Sequence, residues 1–153
     1  MTDGSIEARI HKLARGVSGE ATELRHDLHR HPETAFQERR TAGIVAERLR
    51  ALGLEVREGV GGTGVVGLVR GARPGKCVAL RADMDALPIE EQGSVSYRSE
   101  VPGAMHACGH DGHTAMLLGT AAVLAALRAD LAGPVKLIFQ PAEEVGGAVP
   151  MLA

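Results

Sequence analysis

The spacing of apolar residues changes several times along the chain, and each change marks an element. Residues 5–31 are mostly helical in pattern, with a break expected between Gly16 and Gly19. Ser18 then reads as an N-cap for a second part, in which Ala21, Leu24 and Leu28 share one stripe. Pro32 stops that helix. Ile44, Val45, Leu49 and Leu52 recur at helical spacing, and Gly53 follows as a C-terminal signal. Leu54 to Arg57 and Gly64 to Val69 read as strands, joined through a turn at Gly61-Gly62. Lys76 to Asp83 is a third strand. Residues 91–105 are polar and irregular. Thr114 to Arg128 is a helix apolar all round, which predicts burial. Pro134 to Gln140 is a fourth strand, ended by Pro141. Helices alternating with strands predict layered α/β architecture, and no repeat, low-complexity tract or linker divides residues 1–153. Gly146-Gly147 leads into what reads as another helix, and Ala153 follows soon after. The expectation is an N-terminal piece of a longer catalytic domain.

Composition narrows the function classes. Phe36, Tyr97 and Phe139 are the only aromatic residues besides histidine, so the core must be aliphatic. A formal net charge of −2, with no basic face and few stacking rings, argues against nucleic-acid binding. The N-terminus lacks the basic and apolar regions of a signal peptide. The longest uncharged apolar run, Thr114 to Leu127, is shorter than the roughly 18–20 residues a membrane span needs. Two cysteines, Cys77 and Cys108, make no disulfide framework. A cytoplasmic protein with reduced thiols is expected, with Cys77 shielded in an apolar strand.

Four segments carry candidate chemistry. Gly62-Thr63-Gly64-Val65-Val66-Gly67 matches G-x-G-x-x-G, but its β-branched residues predict a hairpin rather than the strand-to-helix turn that binds dinucleotides. His106-Ala-Cys108-Gly-His110-Asp111-Gly-His113 gathers three imidazoles, a thiol and a carboxylate in eight residues, all metal-ligand types. Cys108 and His110 converge on one ion if the segment is extended or turned, as Gly109 and Gly112 permit. The blander reading is a polar helix start. Asp83-Met84-Asp85 closes the third strand, where α/β folds place their sites; a solvated turn explains it equally well. Glu143-Glu144 follows the fourth strand. Adjacent glutamates diverge, so one can hold a metal while the other accepts a proton from water; two solvated acids are the simpler reading of that pair by itself. His26, His29 and His31 precede Pro32 and suit a helix C-terminus by charge. His11 reads as surface.

In order, Leu28-His29-Arg30-His31-Pro32-Glu33 with Phe36, Glu38 and Thr41, then Leu80 to Pro88, Met105 to His113 and Phe139 to Glu144, resemble the aminoacylase-type metallopeptidases. They resemble in particular the branch acting on N-acyl amino acids: hippurate hydrolase, indole-acetyl-amino-acid hydrolase and N-acetyldiaminopimelate deacetylase. The resemblance runs from about Ile6 to the end. It implies a layered α/β/α zinc-peptidase-like catalytic domain, incomplete here, with a separate lid or dimerisation domain and a homo-oligomer in the full-length form. It also implies a site for two divalent ions (manganese, zinc, cobalt or nickel) and a small N-acyl amino acid substrate. By motif position Cys108, His110 and Glu144 match metal ligands, Glu143 the general base, and Asp85 an aspartate supporting the site. Asp83 stands where more distant peptidases carry a metal-binding histidine. Two further ligand histidines and the lid lie beyond the matched motifs, and Val145-Gly146-Gly147-Ala148 is less glycine-rich than the usual continuation. The chain by itself is therefore expected to be inactive. A non-catalytic metal-binding or assembly module, and a self-contained mononuclear zinc hydrolase, are the alternatives.

Overall fold

The computed structural model describes residues 4–152. Its first element, α1, runs unbroken from Ile6 to Arg30. The expected break at Gly16–Gly19 is absent. Both glycines are exposed, so each costs the helix roughly 0.5–1 kcal/mol relative to alanine. The packing of Leu24 and Leu28 outweighs that cost. The N-cap is Ser5, whose hydroxyl accepts the Ala8 N–H. Ser18 instead turns its hydroxyl back to the Arg15 carbonyl. α2 follows at Arg39–Ala51.

Four strands form one sheet in the order β1-β2-β4-β3, with β1 at Glu55–Val60, β2 at Gly64–Val69, β3 at Val78–Asp83 and β4 at Val135–Gln140. β1 and β2 are an antiparallel hairpin, so the glycine-rich segment lies in a turn and a strand, as its β-branched residues require. Gly61 and Gly62 take positive φ there. β2 pairs antiparallel with β4, and β3 pairs parallel with β4, bringing Asp83 opposite Gln140.

α3 spans His110–Ala126 and connects the two parallel strands. It begins four residues before the point its apolar pattern indicates, because its first turn is polar. α3 packs on the sheet and against α1. A side chain at Gly119 would touch Val17 and Ala21, so the glycine sets how closely α1 lies against α3. Burial of α3 is one-sided rather than all round: Ala115, Leu118 and Ala121 are buried, whereas Met116 is 62% exposed. The core joins Leu28, Val45 and Leu49 of the helices to Val65, Leu137 and Phe139 of the sheet, all fully buried. After β4 come two short 3-10 turns, Glu143–Val145 and Val149–Leu152. The second stands where the sequence reads as the start of another helix. No described helix is long and apolar enough to cross a membrane.

Candidate metal centre

Parallel pairing of β3 with β4 is what assembles the site. Their C-terminal ends lie side by side, so Met84-Asp85 and Pro141 to Glu144 leave the sheet together, at the edge where α/β folds collect their ligands. The N-terminus of α3 meets them there. Gly109, with φ +84°, provides the left-handed turn between Cys108 and the first helical residue, His110.

Asp85 is buried and holds two partners. Its Oδ2 accepts the Glu144 N–H at 3.2 Å, and its Oδ1 lies 3.2 Å from His110 Nδ1. The Asp85 carbonyl is 2.9 Å from the same nitrogen. A carbonyl only accepts, so Nδ1 carries a proton, which leaves Nε2 as the ring atom that can ligate an ion. Nε2 faces Asp83 Oδ1 at 3.5 Å and Glu144 Oε1 at 3.9 Å. One donor atom each from Cys108, His110 and Glu144 lies within 4.8 Å of the others. A thiol, an imidazole and a carboxylate, with the imidazole oriented through its other nitrogen, fit a zinc-like divalent ion.

The electrostatics point the same way. The Cys108 thiol is pushed up to about 11 by its hydrogen bond to Glu144, a slight loss of solvation, and the negative charges of Glu144, Asp85 and Glu143. This surrounding charge is acidic, and a cation placed in it would reverse the penalty on the thiolate.

The paired glutamates diverge. Glu144 turns toward His110, while Glu143 turns toward β3, its Oε1 3.6 Å from the Arg81 guanidinium. Arg81 also reaches Asp83 at 3.1 Å and the Gln140 side chain at 2.9 Å. Sequence reasoning missed Arg81, although its i, i+2 relation to Asp83 on a strand is a usable signal. Asp83 and Asp85 are 5% and 1% exposed, which removes the solvated-turn reading. Burial by itself would raise the Asp83 carboxyl. The hydrogen bond from His113 and the charges of His110 and Arg81 outweigh it and hold the group below its ordinary range. Asp83, His110 and His113 also bring donor atoms within 4.8 Å, with His113 exposed at the rim.

The histidine-rich segment thus divides. Cys108 and His110 join Glu144, and His113 joins Asp83. His106 and Asp111 turn the other way, toward α1. There His29 is buried, with Nδ1 2.8 Å from Asp111 Oδ2 and Nε2 3.5 Å from Glu91. His29 therefore anchors the start of α3 rather than complementing the end of its own helix. His26 stacks on Tyr97. Only His31 meets its helix terminus, its Nδ1 bonding the Asp27 carbonyl at 2.8 Å. Burial, with the imidazoles of His29 and His110, pulls His106 down to about 4 against the opposing charges of Asp111 and Asp85. Cys77 is exposed just before β3, not shielded within it.

Residues 79–153 match Peptidase family M20/M25/M40. The chain is 55% identical over 134 residues to a thermostable carboxypeptidase of Saccharolobus solfataricus, covering 85% of this chain and 34% of that one. It is 48% identical to an N-acyl-L-amino acid amidohydrolase of Geobacillus stearothermophilus, covering 94% and 39%. A Bacillus subtilis structure described as a dinuclear metal binding peptidase of the M20 family superimposes with a TM-score of 0.86 at 44% identity, over 90% of this chain and 39% of that one. The chain thus spans between a third and two fifths of the length of these relatives. Identity of this extent, running through the strand ends and the helix start that build the site, places the chain in the M20/M25/M40 peptidase family.

Proposed function

We propose that the protein carrying this chain is a metal-dependent amidohydrolase, cleaving the amide bond of N-acyl amino acids to a carboxylic acid and a free amino acid. The observation that carries this reading is the convergence of Cys108, His110 and Glu144, with Glu143 adjacent in sequence but directed elsewhere. Cys108, His110 and Glu144 would hold the ion, and Asp85 would fix the His110 ring and the Glu144 backbone. A divalent ion there supplies Lewis-acid charge to an amide carbonyl and to the attacking water. Glu143 takes the proton from that water and returns it to the leaving amine. Arg81 holds the Glu143 carboxylate at the mouth of the site.

The names of the Geobacillus and Saccharolobus relatives support the substrate class, because an N-acyl amino acid and a peptide C-terminus share an amide beside a free carboxylate. The dinuclear Bacillus relative supports two ions per complete site. We further propose a cytoplasmic enzyme, and a 153-residue chain that holds metal without turning over substrate. The test is Glu143→Gln in the full-length enzyme, assayed on hippurate and acetylated amino acids with manganese, zinc or cobalt. Turnover should fall about 10²–10⁴-fold, the usual contribution of a general base, while metal content stays that of the parent. Full turnover by the variant rejects Glu143 as the base, and loss of metal would make it a ligand instead.

A further inference from the structure

Glu38 is fully buried, and among the described residues no cation pairs with it. It sits at the N-cap position of α2 but does not cap that helix. Glu33 does so, accepting the N–H groups of Arg40 at 2.9 Å and Thr41 at 2.8 Å. The Glu38 carboxyl is thereby left for a partner 104 residues away: Oε1 accepts the Ala142 N–H at 2.8 Å, and Oε2 accepts the Thr63 hydroxyl.

Ala142 is one of two described non-glycine residues with positive φ, at 51°. The left-handed conformation costs an alanine roughly 1–2 kcal/mol, so neighbouring contacts must hold it. Its N–H goes to Glu38. Its carbonyl accepts the N–H groups of Gly147 at 2.7 Å and Val145 at 3.2 Å. The next two residues are Glu143 and Glu144, and the Glu144 N–H is held by Asp85. Two buried carboxylates thus grip alternate amides of one turn, Glu38 from the α2 side and Asp85 from the end of β3.

The geometry points to Glu38 as a positioning residue: through Ala142 it sets the turn that aims Glu143 toward Arg81 and Glu144 toward His110. The roles of those two glutamates rest on the function proposed above. The hold on the turn does not.

The test uses the 153-residue chain. In the metal-free protein, Glu38→Ala should speed hydrogen exchange of the 142–144 amides about tenfold or more, the scale of losing one charge-assisted hydrogen bond. Amides of α1 and the middle of α3 should keep their parent rates. Glu38→Gln should restore protection, because its amide oxygen still accepts from Ala142 and its nitrogen can donate to Thr63. In cobalt titrations, Glu38→Ala should weaken affinity about 10–100-fold, as loss of a residue orienting a ligand does. In a Glu144→Ala background the same change should have no further effect. If Glu38→Ala does not fold, Thr63→Val takes its place, with faster exchange at 142–144 expected again. Parent-like exchange at 142–144, equal acceleration throughout the chain, or an undiminished cobalt effect without Glu144 would overturn the assignment. A parent chain that binds no cobalt would reject the ligand reading, while the exchange data still decide the role of Glu38.

Discussion

Replacing Asp85 with asparagine tests how the site is wired. The carboxylate serves two donors at once, the Glu144 N–H and the protonated Nδ1 of His110, each 3.2 Å away. Asparagine has one acceptor oxygen for both. If that oxygen serves Glu144, the new NH₂ group faces Nδ1 and favours moving the imidazole proton to Nε2, the nitrogen needed by a metal. If it serves His110, the NH₂ group opposes the Glu144 N–H and disturbs the turn. Either way a ligand is lost or misdirected. The Asp85 carbonyl, 2.9 Å from Nδ1, opposes the tautomer change and limits the effect. Loss of such an orienting contact costs about 10–100-fold in metal affinity, or roughly 1.4–2.7 kcal/mol. The variant is nearly isosteric but gives up one of two buried hydrogen bonds, so urea unfolding of the metal-free chain should shift by about 1–3 kcal/mol. Competition titration with a chromophoric chelator gives the affinity, and nitrogen chemical shifts of the His110 ring give the tautomer. Parent-like zinc affinity in Asp85→Asn would show that Asp85 does not orient His110 or Glu144 as ligands.

Two further outcomes follow from the charges around the site. His106, pulled down to about 4, refuses a proton that the unfolded chain takes up near 6.5, so its contribution is complete above pH 6.5 and is lost as the pH falls toward 4. Metal-free chain should lose up to about 3 kcal/mol over that range by urea titration, with a shallower loss in His106→Asn; equal slopes in parent and variant would contradict the assignment. With the Cys108 thiol at about 11, alkylation of Cys108 in the metal-free chain should rise about tenfold per pH unit through pH 8–10, and zinc should protect Cys108 but not the exposed Cys77. Equal labelling of Cys108 with and without zinc would remove it from the ligand set.

The sheet was largely legible because its strands are short apolar runs between turn residues. β2 runs from Gly64 to Val69, the same span its β-branched run indicates. Helix boundaries were harder. Gly16 and Gly19 look like a break only until α3 supplies a surface for α1 to dock on. His110 to His113 look like a loop because the first turn of a helix need not be apolar. The proximity of Cys108, His110 and Glu144 follows from motifs in the right order, whereas the wiring between motifs was not legible. Nothing local to Glu38 announces Ala142, and nothing local to His29 announces Asp111. Both contacts join residues more than eighty positions apart, 104 for Glu38 and Ala142 and 82 for His29 and Asp111, which no short-range pattern records.

In the proposed function, one thiolate, one imidazole and one carboxylate of this chain hold a divalent ion. X-ray absorption on the chain loaded with one equivalent of zinc measures that donor set directly. The expected spectrum shows a single sulfur at about 2.3 Å together with nitrogen and oxygen at about 2.0–2.2 Å, and Cys108→Ser loses the sulfur shell. A shell of nitrogen and oxygen alone, or a sulfur that persists in Cys108→Ser, would contradict it.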